Sequence, residues 1–156
     1  MPPEPTPVKR ILLIFPPARI QRDGIKIALP PMGPACLAAV VREKYDVAIL
    51  DALAEGFHNE RPSSHGFYIY GLPPDEIGRR IQAFRPDLVG FTCPYSSTFP
   101  VVAELCKISK AVAPSAITVA GGAHPTFLPE RCLKEVPDLD MVAIGEGRPA
   151  IQRSPA

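Results

Sequence analysis

Short apolar runs alternate with segments of helical periodicity along this chain, and this alternation restricts its fold more than any other feature. Five nearly continuous apolar runs have the length and character of strands buried on both faces. They are Arg10–Phe15, Asp46–Asp51, Asp87–Thr92, Ala116–Ala120 and Asp140–Ile144. Between them, apolar residues recur at helical spacing in Gly33–Lys44, Pro74–Phe84, Phe99–Val112 and Pro129–Val136. The alternation predicts an α/β fold with a doubly wound, five-stranded parallel sheet in the order 2-1-3-4-5.

The charge balance directs the search for partners towards a pocket. The 156 residues include 17 basic and 16 acidic side chains, which gives no basic surface for nucleic acid. The longest apolar stretch, residues 35–41, is far shorter than the roughly 20 residues of a membrane-spanning helix. The first residues lack the apolar segment of a secretory signal, so we expect a cytoplasmic protein with no membrane span.

The two ends and one long connection interrupt the regular pattern. We expect residues 1–9 to be a flexible segment, residues 10–147 to form the domain, and residues 148–156 to be an atypical tail. Residues 52–72 form a long connection of the kind that is often functional or mobile. No fifth helix follows the fifth strand, so part of one sheet face should be uncovered. Another chain or domain would cover this face, or the chain is truncated; the sequence favours truncation.

The spacing of the cysteines indicates that they form no metal centre. Cys36, Cys93, Cys106 and Cys132 each lie in or beside an apolar segment, which predicts buried free thiols in a reducing compartment. Their spacings fit neither a zinc ribbon nor an iron–sulfur cluster, so we predict no metal ligands in this chain. We also assign no catalytic residue.

The candidate ligand site lies in the loops that follow the strands, because open parallel sheets bind ligands beyond the carboxyl ends of their strands. Glycines there let the backbone approach a large flat ligand, although they could equally serve only to close tight turns, and hydroxyls can bond to a ligand's amides or phosphate. The sequence contains neither G-x-G-x-x-G after the first strand nor a P-loop, which disfavours nucleotide sites. The predicted binding residues are Pro31, Met32, Gly33, Thr92, Cys93, Pro94, Tyr95, Ser96, Ser97, Gly121, Gly122, His124, Pro125, Gly145, Glu146 and Gly147.

An ordered series of motifs resembles the N-terminal cobalamin-binding domain of the radical S-adenosylmethionine enzymes. The series consists of Pro31-Met32-Gly33, residues 47–51, residues 86–92, the run from Val119 to Thr126, and residues 143–147. The resemblance implies a Rossmann-like, flavodoxin-like module whose loops hold cobalamin, in a methyltransferase class that positions this cofactor for methyl transfer. It also implies that the iron–sulfur cluster and S-adenosylmethionine belong to a downstream domain absent from this chain, which would be its partner.

The cobalt-binding histidine of related modules has no counterpart here. No aspartate is followed two residues later by histidine, as the D-x-H-x-x-G motif requires. The resemblance therefore implies cobalamin bound base-off, with no histidine of that motif on cobalt.

Two other functions are compatible with the sequence. The chain could be a docking or interaction module that keeps the fold without the cofactor. Less favoured is a small hydrolase in which Cys93 is the nucleophile and His124 its base, since no third orienting residue is evident.

Overall fold

A five-stranded parallel sheet forms the centre of the computed structural model, which describes residues 7–146. All five predicted strands are present, each within one residue of its expected ends. The strands, numbered together with those of a second sheet, are β1 (Arg10–Phe15), β3 (Asp46–Asp51), β6 (Leu88–Thr92), β7 (Ile117–Gly121) and β8 (Met141–Ala143).

The strand order confirms the predicted doubly wound topology. The sheet runs β3-β1-β6-β7-β8, which is the order 2-1-3-4-5 of its parallel strands. Leu13 of β1 pairs with Ile49 on one side and with Gly90 on the other. Because every pair is parallel, all five strands end at the same edge, which we call the carboxyl edge.

The helices within residues 7–146 are α1 (Met32–Val41), α2 (Ala52–Glu55), α3 (Pro74–Phe84), α4 (Phe99–Val112), α5 (Ala123–Phe127) and α6 (Pro129–Glu135). Four of these six coincide with predicted helices. Helix α1 ends three residues earlier than expected, because the exposed charged residues 42–44 add no apolar surface to its buried side. The two that were not predicted, α2 and α5, are short helices that begin within two residues of the end of a strand.

The larger core lies between the sheet and the face covered by α3 and α4. Ile77 and Ile81 of α3 are completely buried, as is Val102 of α4, while Leu105 of α4 is buried almost completely. Burying each such side chain contributes about 1.5–3 kcal/mol. This packing fixes the sheet and therefore the relative positions of the loops at its carboxyl edge.

A second, antiparallel sheet takes two of its three strands from the connection predicted between residues 52 and 72. It has the order β2-β5-β4, formed by β2 (Ala18–Gln21), β4 (Glu60–Pro62) and β5 (Phe67–Tyr70). β2 follows β1 directly and contacts the 3₁₀ turn Ser96–Thr98 after β6, which places this small sheet at the carboxyl edge.

The other face of the central sheet is only partly covered. Helix α1 packs on Ile11 and Leu13, which are buried. On the same face, Ile49 of β3 is 38% exposed and Met141 of β8 is 54% exposed, at opposite ends of the row of paired residues that includes Leu13. The structure thus has, in its described residues, the uncovered sheet face that the sequence predicts.

The prediction that all four cysteines are buried is wrong for Cys36. This residue is exposed on α1, because that helix turns Pro34 and Val41 towards the sheet instead. Cys93, Cys106 and Cys132 are buried free thiols, as predicted. Within residues 7–146, none of the helices has the length and apolar character needed to cross a membrane.

Candidate functional site

The structure gathers the predicted binding residues at the carboxyl edge from four elements. Thr92 and Gly121 are the last residues of β6 and β7, and Gly145 follows β8. Helix α1 begins at the same edge, with Met32 and Gly33 in its first turn and Pro31 immediately before it. Gly147 and the predicted tail lie outside the described residues, as do residues 1–6. The loop after β6 contains Cys93, Pro94, Tyr95, Ser96 and Ser97; Gly122 precedes α5, which contains His124 and Pro125, and Glu146 ends the described part of the loop after β8.

The loops after β6 and β7 are in direct backbone contact. The amide of Cys93 donates to the carbonyl of Gly121 at 2.7 Å, and the amide of His124 donates to the carbonyl of Cys93 at 3.2 Å. Gly122 has a φ of 113°, and a Cβ at this position would lie 2.7 Å from the carbonyl oxygen of Cys93. The turn between β7 and α5 therefore requires glycine at position 122. For this residue the structure supports the alternative interpretation, in which the glycine serves to close a tight turn.

Gly33 and Gly145 have a different environment. A Cβ built on either residue would meet no atom within 4 Å. Gly145 has a φ of 75°, which favours glycine, whereas Gly33 lies in a helix where alanine would be preferred. These two positions present bare backbone to open space at the edge, as the approach of a large ligand requires.

Large apolar side chains at the same edge extend into solvent. Each of the four elements at the edge contributes one such side chain, exposed by more than half. They are Met32 (65%), Tyr95 (70%), Phe127 (81%) and Ile144 (59%). Exposed apolar groups collected from four separate elements are typical of a binding surface, and they leave the edge open.

A side-chain contact also joins the loops after β6 and β7. Nδ1 of His124 lies 2.8 Å from Oγ of Ser96, and the His124 ring packs on Phe99 with 4.6 Å between ring centroids. Burial, and secondarily the positive charge of Arg131, lowers the pKa of His124. The imidazole is thus kept in its neutral form.

Thr126 is a site residue that the sequence analysis did not select. Its Oγ1 accepts a hydrogen bond of 3.0 Å from the amide of Gly145, which joins α5 to the loop after β8. The run Gly-Gly-Ala-His-Pro-Thr ends at this residue. Because α5 was not predicted, nothing in the sequence indicated that this threonine would reach the neighbouring loop.

Cys93 lacks the environment of a nucleophile. Its sulfur is buried and donates to the carbonyl of Tyr95 at 3.6 Å, while the His124 imidazole contacts Ser96 instead. Burial, with a smaller effect of Cys132, raises the pKa of the Cys93 thiol to about 12. A thiol with this pKa stays protonated at neutral pH, which argues against the hydrolase reading.

A cavity of about 360 Å³ lies along the small sheet, next to the carboxyl edge. Arg22 and Lys26 are the cationic side chains that line it, and Lys26 already has partners: it forms an ion pair with Glu60 and lies 4.9 Å from the ring centroid of Phe57. The cavity volume is near the lower end of the range for small-molecule sites. The carboxyl edge therefore remains the candidate site for a large ligand.

Comparison with protein families gives one assignment for most of the chain. Residues 24–153 match the family described as the B12 binding domain. The span includes the carboxyl edge and the whole central sheet except β1.

Three curated proteins are similar over nearly the whole chain. They are cytidylyl-2-hydroxyethylphosphonate methyltransferase of Streptomyces wedmorensis (37% identical, 93% of this chain, 28% of that protein), an uncharacterized methyltransferase of Pyrococcus horikoshii (36%, 90%, 27%), and anaerobic magnesium-protoporphyrin IX monomethyl ester cyclase of Rubrivivax gelatinosus (31%, 88%, 22%). The chain thus spans less than a third of the length of each of these relatives.

Solved structures confirm the fold. A cobalamin-binding protein from Desulfitobacterium hafniense matches with a TM-score of 0.59 and 16% identity, over 94% of this chain and 58% of that one. The receiver domain of a sensor histidine kinase from Pseudomonas aeruginosa matches with a TM-score of 0.52 and 14% identity, over 94% and 93%. At such identities the likeness concerns the fold alone.

Proposed function

This chain belongs to the B12-binding domain family, and we propose that it binds cobalamin at the carboxyl edge of its central sheet. The observation that carries the proposal is the pair of bare glycines, Gly33 and Gly145, which face open space at an edge that also carries exposed apolar side chains. A corrin ring is large, flat and edged with amide groups. Bare backbone allows its close approach, and the apolar side chains would contact its carbon surface.

The predicted residues divide by exposure into two roles. Tyr95 is exposed and Ser97 is partly exposed, so their hydroxyls are available to the amides and phosphate of cobalamin. Ser96 is also exposed, and its hydroxyl, which contacts His124, can form a further hydrogen bond. Cys93 and Pro125 are buried, and both backbone hydrogen-bonding groups of Cys93 are already used within the protein. We assign contact with cobalamin to the exposed set and support of the loops to the buried pair.

The base-off form of cobalamin is implied by the resemblance, and the chain's own residues bear on one part of it, the absence of a histidine of the D-x-H motif on cobalt. The connection from β1 to α1, residues 16–31, contains no histidine. His124, at the same edge, is already engaged with Ser96. These residues offer no free imidazole from the position that the D-x-H motif occupies.

We further propose that the domain serves a radical S-adenosylmethionine methyltransferase. Two of the similar curated proteins are named as methyltransferases, and the sequence resembles the N-terminal domain of that enzyme class. Bound cobalamin would supply the methyl carrier. The described residues would bind and orient it, while the iron–sulfur cluster and S-adenosylmethionine would belong to another domain. The four free cysteines suit a reducing compartment, which supports a cytoplasmic location.

The proposal is tested by titrating the chain with hydroxocobalamin and recording its absorption spectrum. Gly145→Trp should weaken binding at least tenfold, because the indole would fill the space offered to the corrin. Gly66→Trp is a matched control: Gly66 has a φ of 74° and no atom within 4 Å of a built Cβ, but it lies in a turn of the small sheet. An unchanged spectrum with the wild-type chain, or equal binding by both variants, would contradict the proposed site.

A second candidate function, an interaction module without cofactor, is favoured by the uncovered sheet face. Met141 is 54% exposed there, on the face packed by α1. Met141→Lys would disrupt this face and leave the carboxyl edge unchanged. The second function would be supported over the first by two results together: the wild-type chain associates in sedimentation whereas Met141→Lys does not, and the wild-type chain binds no cobalamin.

A further inference from the structure

We propose that His124 and Thr126 are positioning residues that tie the loops after β6 and β8 to α5 and so set the width of the cobalamin site. The inference rests on the proposed function and deepens it. In this proposal, two residues of the short helix α5 hold the segments after β6, β7 and β8 at fixed separations.

The first tie joins α5 to the loop after β6. The His124 imidazole contacts the Ser96 hydroxyl at 2.8 Å, next to the backbone bond from the His124 amide to the Cys93 carbonyl at 3.2 Å. Ser96 is exposed, so it has little packing of its own to fix its position. The ring of Phe99, with its centroid 4.6 Å from that of His124, helps to fix the imidazole.

The second tie joins α5 to the loop after β8. Thr126 Oγ1 accepts from the Gly145 amide at 3.0 Å. Gly145 is exposed and has no atom within 4 Å of a built Cβ, so packing at this position does not hold the loop in place.

Helix geometry explains why one short helix reaches both neighbours. Successive residues of a helix are rotated by about 100°, so side chains two residues apart point in nearly opposite directions. β7, which leads into α5, lies between β6 and β8 in the sheet. His124 and Thr126 therefore extend to the loops on either side of their own strand.

The surroundings of His124 indicate positioning rather than contact with the ligand. Its Nε2 atom is enclosed and has no hydrogen-bond partner among the described residues, and its Nδ1 atom is engaged by Ser96. Because neither nitrogen of His124 is free to bind a ligand, His124 affects the ligand through the loop after β6, which it holds in position.

The ties can be measured without any ligand, by amide hydrogen exchange of the chain alone. His124→Leu should speed exchange at the Thr98 amide, which is bonded to the Tyr95 carbonyl, by about fivefold, the effect of one net hydrogen bond. His124→Asn should restore slow exchange, because its amide lies near the Nδ1 position and can donate to or accept from Ser96. His124→Gln, whose amide lies near the Nε2 position, should not.

The second tie has an equally close pair of variants. Thr126→Val keeps the shape of the side chain but removes the acceptor of the Gly145 amide, which should then exchange at least fivefold faster. Thr126→Ser keeps the oxygen and should behave like the wild type. Equal exchange in the valine and serine variants would overturn this tie.

Binding of hydroxocobalamin then tests the consequence for the site. His124→Leu should raise the dissociation constant about fivefold or more, and His124→Asn should restore it. The effect of His124 passes through Ser96. The double variant Ser96→Ala/His124→Leu should therefore bind hydroxocobalamin no more weakly than whichever single variant has the higher dissociation constant. Fully additive losses, or unchanged binding by His124→Leu, would overturn the positioning role. Failure of the wild-type chain to bind contradicts the proposed function instead, and unchanged exchange in His124→Leu refutes the first tie whether or not cobalamin binds.

Discussion

Replacement of Gly122 by alanine tests the contact on which the geometry of the site depends. Gly122 connects β7 to α5 with a φ of 113° and a ψ of −173°, a region of backbone space that is essentially limited to glycine. We expect Gly122→Ala to lower the free energy of unfolding by about 3–5 kcal/mol, combining backbone strain with lost hydrogen bonds.

Two effects in the structure give this magnitude. The backbone conformation alone costs an alanine about 1–3 kcal/mol. In addition, the new Cβ would lie 2.7 Å from the carbonyl oxygen and 2.9 Å from the carbonyl carbon of Cys93, so the two loops must separate. Separation strains the bonds from the Cys93 amide to Gly121 and from the His124 amide to Cys93, each with a net value of about 1 kcal/mol.

Chemical denaturation of matched glycine variants provides the assay. Gly145→Ala and Gly66→Ala introduce a side chain at φ values of 75° and 74° with no atom within 4 Å, so each should cost only the left-handed strain of about 1–2 kcal/mol. Gly33→Ala has neither strain nor contact and should leave stability unchanged or slightly raised. If Gly122→Ala costs no more than Gly145→Ala, the backbone contact between the loops after β6 and β7 is refuted.

Three further predictions concern the thiols, the acid side of the stability curve and the core. A thiol reagent should label Cys36 rapidly in the native chain and the other three cysteines only on unfolding, because those three are buried; rapid labelling that survives Cys36→Ser would contradict this burial. Burial raises the pKa of Asp140, but hydrogen bonds from Lys110 and Thr118 outweigh it, so the pKa is lowered overall. Its stabilising contribution is therefore present at neutral pH and lost on acidification, and Asp140→Asn should flatten the fall in unfolding free energy below about pH 5; an unchanged slope would refute this. Ile81→Ala should cost about 2–5 kcal/mol in denaturation because Ile81 is completely buried, and a loss below 1 kcal/mol would be inconsistent with the core described above.

The central sheet was predictable because its evidence is local. Each parallel strand is read as one nearly continuous apolar run, and β1 (Arg10–Phe15), in the interior of the sheet, is buried on both faces. The small sheet was not predictable in the same way. Residues 18–21 form a strand only through pairing with residues 67–70, about 50 positions later, and residues 18–21 lack the continuous apolar run of the central strands.

The glycines show where sequence reasoning about the site ends. Gly122 and Gly145 occupy similar positions in the sequence, each in a loop after a strand, so composition cannot distinguish them. The structure does so, because a Cβ at Gly122 would meet Cys93 whereas one at Gly145 would meet nothing. Likewise, the opposite directions of His124 and Thr126 follow from α5, a helix of five residues that is too short to have a recognisable period.

Amide hydrogen exchange of the chain with and without hydroxocobalamin tests most directly whether the carboxyl edge is the binding site. The account predicts slower exchange on addition of the ligand in the loops after β6, β7 and β8 and in the first turn of α1, with little change in the strands of the small sheet. No change at these loops, or protection confined to the small-sheet cavity around Lys26 and Tyr68, would contradict it.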